Sequence, residues 1–489
     1  MKTENKVFRV SRQIHFRVTN TSRLIHTLYW YLSSLSGSIG IMQNSVRPRA
    51  FGARRLGLLR PWKTARTAKK ELAVAALLLS SIFLACSACQ ARDYYISPAG
   101  DGTTGLSWST ALRNIPPLNF GISPIQPGDR IILDGGTGGV TYTTALDIGV
   151  SGTATNPITI MQSPEPGHNG RVTLSGFVGG AQVRLPVGVR LAGSYIRMYG
   201  SRRGGLRISD YLFQGVAVTG SNNWLSNLEI AGVFGPIINP SKVPGVGLLF
   251  AGNNNVYKCL DIFNCLLMAQ QGFPTSESNS NFERCWFFDT YNRSAGGFVV
   301  NGGREDSRVE VSNCVFGPGL AQGLINKSSS GFLAVNGSLF LNASQDNILL
   351  SGAAGTSRTV LRRNTAFMTD ANYLGLPHNN LNYNSNGNLT VVNSIFYGGL
   401  IRADAAARAK ASGNFQYNVL GNTVLLASTL ADPQFRQAEL IKALKGTTPL
   451  KEQAAADFTL ADCSPASGKG ARATSVKVLN KAFASYFFP

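Results

Sequence analysis

Val309-Glu-Val-Ser-Asn313-Cys-Val-Phe316 is the stretch on which the reading of the fold turns, because its pattern returns along the chain: an apolar residue, a spacer, then Asn, Cys or Gly, two more residues and a large apolar one. Full copies are Leu225-x-Asn227-x-x-Ile230, Tyr257-x-Cys259-x-x-Ile262, Val335-x-Gly337-x-x-Phe340 and Val391-x-Asn393-x-x-Phe396. Weaker copies carry Cys285 with Phe288 and Asn364 with Phe367, so the marker recurs at intervals of 32, 26, 28, 24, 27 and 29 residues. A repeat of that length marks a solenoid. Its short β-branched and aromatic runs, cut by Gly, Asn and Ser, predict strands rather than helices.

Within the stretch, Val309 and Val311 alternate as in a strand, but Asn313 and Phe316 lie an odd number apart. A uniform strand would send them to opposite faces. A left-handed residue at Asn313 resets the alternation and returns Phe316 inward. One coil of a parallel β-helix bends this way, and coils stacked about 4.8 Å apart would line the Asn side chains into a ladder. A second strand per coil starts at Gly247, Gly297, Gly323 and Asn347. An ordinary β-sandwich with Asn-rich turns is the competing architecture.

The net charge of +21 is unevenly spread. Residues up to Arg92 contribute +14 and the rest +7, so a basic leader dominates and nucleic-acid binding by the body is not implied. Residues 1–70 are Arg-rich without apolar period and read as a disordered extension, or as sequence ahead of a true start at Met42. Leu72 to Ala85 is apolar for fourteen residues, short for a membrane span but suited to the centre of a secretory signal over 71–91. Export is therefore expected, with no stable membrane span after cleavage; an uncleaved signal anchor is the alternative. The body follows as 92–470, with a tail at 471–489.

Three segments after the signal carry a resemblance. Asp93-Tyr-Tyr-Ile-Ser-Pro-Ala-Gly-Asp-Gly102, Pro127-Gly-Asp-Arg-Ile-Ile-Leu133 and Ser151-Gly-Thr-Ala-Thr-Asn-Pro-Ile-Thr-Ile160 resemble the opening of secreted bacterial right-handed parallel β-helix proteins, the pectate-lyase-like superfamily. Asp432-Pro-Gln-Phe435, Asp457-Phe-Thr-Leu460 and Cys463-Ser-Pro-Ala-Ser-Gly-Lys-Gly470 resemble their closing signature, split by an insertion at 436–456 with a short helix expected from Ala438 to Lys445. The resemblance implies an all-β, single-stranded right-handed parallel β-helix, closed by a short capping helix near Ser109 to Asn114. It implies a monomer acting on polysaccharide, and it is specific for fold rather than activity. Phe83-Leu-Ala-Cys86 resembles a lipoprotein box with Phe where Leu is usual, implying a lipid anchor on Cys86; cleavage after Ala91 would instead leave a soluble product.

Cys259 and Cys285 hold the same marker position in consecutive coils, so they read either as a disulfide or as stacked thiols. Only His168 and His378 survive signal removal, which argues against a multi-histidine zinc site. No nucleophile elbow, phosphate loop or dinucleotide fingerprint stands in a fitting context. Polar groups gather instead on turns from 285 to 378.

Cleavage of a uronate polymer by β-elimination needs a base, a cation for the developing charge and often Ca²⁺. Lys327, four residues after Gly323, is the expected base, and Arg304, seven after Gly297, or Arg293 the neutraliser. Glu305, Asp306 and Asp289 are the candidates for Ca²⁺. Tyr291, Tyr373, His378 and Asp346 are candidates for holding sugar. Glycoside hydrolysis by paired carboxylates among Asp289, Asp346 and Asp370 ranks below this, and a non-catalytic, glycan-binding or adhesive β-helix is the alternative function.

Overall fold

The structure is a computed structural model. It describes residues 91–471 apart from 116–124, 179–182, 236–244, 273–278, 291–295, 303, 353–355, 369–377, 385–386, 404–408, 418–419, 422–427, 431 and 438–455. The leader, the signal segment, the tail beyond 471 and the expected helix from Ala438 lie outside the described residues.

The body is a right-handed parallel β-helix. Each coil passes through three strands, one in each of three long sheets of 12, 12 and 11 strands. Taking one coil as an example, Asn255–Lys258 lies in sheet A, Asp261–Phe263 in sheet B and Leu267–Gln271 in sheet C. Strands inside the stack pair in parallel with their counterparts in the coils before and after them, as Asn279–Glu283 does with Asn255–Lys258 and Arg308–Ser312. The second strand expected from Gly247, Gly297, Gly323 and Asn347 is the sheet C strand.

The A-to-B corner is the bend expected at the marker. Asn227, Cys259, Arg284, Asn313, Gly337, Arg363 and Asn393 all have φ between 52° and 60°. Each takes a backbone bond onward: Asn313 N–H donates to Asn336 O, Gly337 N–H to Arg362 O and Arg363 N–H to Val392 O, at 2.9 to 3.0 Å. Two copies are corrected by this. The left-handed residues are Arg284 and Arg363, one position ahead of Cys285 and Asn364.

The inward column of sheet B is correspondingly Ile230, Ile262, Phe287, Phe316, Phe340, Ala366 and Phe396, joined in register. Phe287 stacks on Phe316 at 5.1 Å and Phe316 on Phe340 at 4.7 Å, which is the coil spacing. Phe288 and Phe367 point outward instead, into a second apolar layer with Trp286, Leu339, Phe435 and Phe458. Both faces of these strands are therefore apolar, and alternation alone does not say which aromatic faces in.

The residue after each bend points into the tube and builds a second file. Cys285 N–H meets Cys314 Sγ at 3.3 Å, Cys314 N–H meets Ser338 Oγ at 3.2 Å, and Ser338 N–H donates to Asn364 Oδ1 at 2.9 Å. Asn364 N–H then donates to Ser394 Oγ at 3.2 Å, and Ser394 N–H to Asn414 Oδ1 at 2.9 Å. Cys259 and Cys285 thus belong to different files, and all the described cysteines are free thiols.

The open end is not closed by a helix at 109–114. Leu112 forms a parallel bridge with Ile96, and the preceding residues make a turn in which Ser107 N–H donates to Thr110 Oγ1 at 3.1 Å. Serine and threonine offer the backbone local partners that compete with helix formation. At the far end Phe435 bridges Leu460 antiparallel, bringing the closing signature onto sheet B.

Candidate functional site

Sheet C presents its outer face between two rows of turns, and the expected site residues divide between them. Lys327 follows the strand Gln322–Asn326, is exposed, and gives its N–H to Val300 O at 2.9 Å. On the turn after Gly296–Val300, Arg304 Nε and Nη2 each donate to an Asp306 carboxylate oxygen at 3.1 Å. Both partners are exposed, so the pair contributes little to stability. Glu305 Oε1 accepts the Thr356 hydroxyl at 3.1 Å, tying this turn to the one after Asp346–Leu350. Lys327, Arg304, Glu305 and Asp306 therefore share the C-to-A flank.

Asp289, Asp346 and His378 stand at the other edge. Asp289 is a left-handed corner residue, φ 52°, between sheets B and C, and its N–H donates to Pro318 O at 3.0 Å. Asp346 pairs in register with Gln322 and Asn379 on the outer face of sheet C. Its carboxylate is buried and takes Asn379 Nδ2 at 2.7 Å, Asn382 Nδ2 at 3.2 Å and Gln322 Nε2 at 3.3 Å. His378, a candidate for holding sugar, is also buried, with its carbonyl accepting Leu400 N–H at 2.9 Å. Five residues separate the level of Asp346 from that of Lys327, roughly 17 Å along the strand. Tyr291, Arg293 and Tyr373, with Asp370, lie outside the described residues.

The expected Ca²⁺ ligands do not come together. Asp289 precedes the strand Gly296–Val300, whereas Glu305 and Asp306 follow it. Asp306 is engaged by Arg304, and Glu305 accepts the Thr356 hydroxyl. Ca²⁺ takes six to eight oxygens, and among the described residues no group of three or more acidic, histidine or cysteine side chains gathers to hold a metal.

Two arrangements have no signal in the spacing of the sequence. At the N-terminal end Trp108 stacks on His168 at 3.9 Å, while His168 Nδ1 sits 3.0 Å from Asp134 Oδ1 and Trp108 Nε1 donates to Glu165 at 2.6 Å. Ser97 Oγ donates to the other Asp134 oxygen at 2.6 Å, so the cluster fastens the first turns to the first coils. On sheet B, buried Glu229 meets Arg171 and Arg207, and buried Asp261 holds Arg203 with Nε to Oδ2 at 2.8 Å. These partners are 58 residues apart in the pairs Arg171–Glu229 and Arg203–Asp261, so only the coiling brings them together.

The three-sheet coil and the bend file define a right-handed parallel β-helix. Pectate lyase Pel9A is similar in structure, with TM-score 0.51 and 18% identity over 78% of this chain and 92% of that one. A rhamnogalacturonan lyase gives TM-score 0.48 and 15% identity over 78% of this chain and 99% of the other. An alginate lyase from Paenibacillus sp. gives 0.35 and 16%, over 61% of this chain and 88% of that one. No family model matches the chain, and no curated protein matches it in sequence. The likeness to the pectate lyase is one of fold. Among the described residues no helix is long and apolar enough to cross a membrane.

Proposed function

We propose that this protein is exported and acts on an acidic polysaccharide laid along the outer face of sheet C, cleaving it by β-elimination. The observation that carries the reading is Lys327, exposed at the rim of sheet C one coil from the Arg304 turn, on a β-helix similar in fold to a pectate lyase. Lys327 takes the proton beside the uronate carboxylate. The electron pair of that C–H bond becomes a carbon–carbon double bond as the glycosidic C–O bond breaks, and the leaving oxygen gains a proton from solvent.

Arg304 holds the charge that develops on the carboxylate. To do so it exchanges the Asp306 carboxylate for the sugar's, a replacement of like by like that its bidentate geometry suits. No step is assigned to Ca²⁺, because among the described residues no group of three or more metal-ligating side chains gathers to hold it.

The second reading is a non-catalytic glycan-binding β-helix. It is favoured by the burial of Asp346 and His378, which keeps both from a polymer on the surface. Ultraviolet absorbance of the unsaturated product, followed on pectate, alginate and other uronate polymers with and without Ca²⁺, separates the two. A rise on one polymer supports the lyase, and none on any polymer leaves the binding module.

A further inference from the structure

We propose that the A-to-B corner carries a second binding site, a groove for carboxylate-bearing oligosaccharides, on a different flank from the Lys327 turns. A depression of about 500 Å³ opens there between Glu283 and the pair Arg362–Arg363, with Asn313, Asn336 and Gly337 between them. Two adjacent columns build it. Glu283, Ser312, Asn336 and Arg362 are partners in register at the ends of the sheet A strands. Arg284, Asn313, Gly337 and Arg363 are the left-handed residues that follow them. Three coils separate Arg284 from Arg363, roughly 14 Å at the usual strand spacing, and the missing side chain of Gly337 leaves the space between.

The charges here are not accounted for by structure. Arg130, Arg171, Arg190, Arg203, Arg304 and Arg308 each have a carboxylate partner. Among the described residues Arg362 and Arg363 have none, and Arg363 Nε is shielded from solvent without a hydrogen-bond acceptor. Arg362 is exposed and Arg363 half-buried, so their guanidinium groups can meet an acceptor from solvent.

Arg363 also occupies a backbone conformation that the same file gives to asparagine or glycine at 227, 313, 337 and 393. Arginine tolerates it less well. The one carboxylate in the groove, Glu283, is already met by Lys258 at 3.0 Å and Arg284 at 3.3 Å. Beyond Arg363 the cationic run continues with Lys469, whose Nζ donates to Asn393 Oδ1 at 2.7 Å.

The chemistry points to an acidic sugar. Guanidinium forks match carboxylates in two-point contact. The amides of Asn313 and Asn336 and the hydroxyl of Ser312 suit sugar hydroxyls, and no aromatic ring lines the groove to stack a nucleobase. The proposal stands independently of the lyase reading, since Lys327 takes no part in it.

The test is equilibrium binding of end-labelled hexagalacturonate and hexamannuronate, with fully methyl-esterified hexagalacturonate as the neutral twin. At least one acidic hexamer is expected to bind, the ester at least tenfold more weakly. The double variant Arg362→Gln/Arg363→Gly is expected to lose at least tenfold while unfolding no earlier than the wild type, and Arg130→Gln, at an exposed arginine outside both sites, to bind as the wild type does. Any of four results would overturn the proposal: no acidic hexamer bound, ester and acid bound alike, undiminished binding by the double variant, or loss of binding in Arg130→Gln. Equally tight binding of single-stranded DNA of matched charge would make the groove a general polyanion site and overturn its assignment to sugars.

Discussion

Asn364 accepts the backbone N–H of Ser338 at 2.9 Å and returns its own amide to the carbonyl of Val335 at 2.9 Å, inside the tube and out of reach of water. These backbone groups lie in the preceding coil, so one side chain satisfies a donor and an acceptor that the bend leaves over. Asn364→Leu leaves both buried and unpaired, a cost of about 2–4 kcal/mol. Asn313→Gly, at a bend where glycine suits the φ of 52°, changes stability by less than about 1 kcal/mol. Urea unfolding of both variants measures the contrast.

The two classes of ion pair give a second contrast. Asp261 is buried with Arg203, and removing the carboxylate strands a guanidinium with little solvent. Asp261→Ala is expected to cost about 3–5 kcal/mol. Asp306→Ala, which breaks the exposed pair with Arg304, is expected to cost less than about 1 kcal/mol. Thermal unfolding of the two variants side by side checks this.

How far the sequence reaches is clear from the same residues. The period, the bend at Asn227, Asn313, Gly337 and Asn393 and the second strand are all legible, because a left-handed corner restricts residue type. Arg284 and Arg363 break that rule and shift two copies by one residue. The displacement is hidden by Trp286-Phe-Phe288 and Thr365-Ala-Phe367, whose outward residues are buried in a second apolar layer or beside it and so look like core. The site was legible only as a set of turns. Lys327 and Arg304 do share a flank, but the burial of Asp346 and His378 and the pairing of Arg304 with Asp306 depend on which coils become neighbours.

The thiols set a third expectation. Burial pushes Cys265 up to about 12 from an ordinary 9, and burial followed by the contact with Cys314 raises Cys285 as well. A raised thiol pKa favours the folded state's protonated form. Its contribution is full below the unfolded value near 9 and is lost as pH rises toward 12. Stability should therefore decline across that interval. At pH 8 iodoacetamide should modify exposed Cys463 first and reach Cys265, Cys285 and Cys314 only on unfolding, and a reductant should leave the melting temperature unchanged. Mass spectrometry of timed alkylation reads the order.

Arg363→Gly isolates the cost of a left-handed arginine. The substitution relieves the strain at φ 53° and removes no ion pair among the described residues, so it should raise stability by up to about 1 kcal/mol. Denaturant midpoints of variant and wild type, at an unchanged m-value, give the figure.

The assignment of chemistry to the Lys327 flank is tested most directly by the initial rate of unsaturated-product absorbance on the responsive uronate polymer, compared between wild type, Lys327→Ala and Arg363→Gly at saturating substrate. The account predicts a rise with wild type, a loss of about 10²-fold or more in Lys327→Ala, and an undiminished rate in Arg363→Gly. No rise with wild type on any polymer, or an unchanged rate in Lys327→Ala, would contradict it.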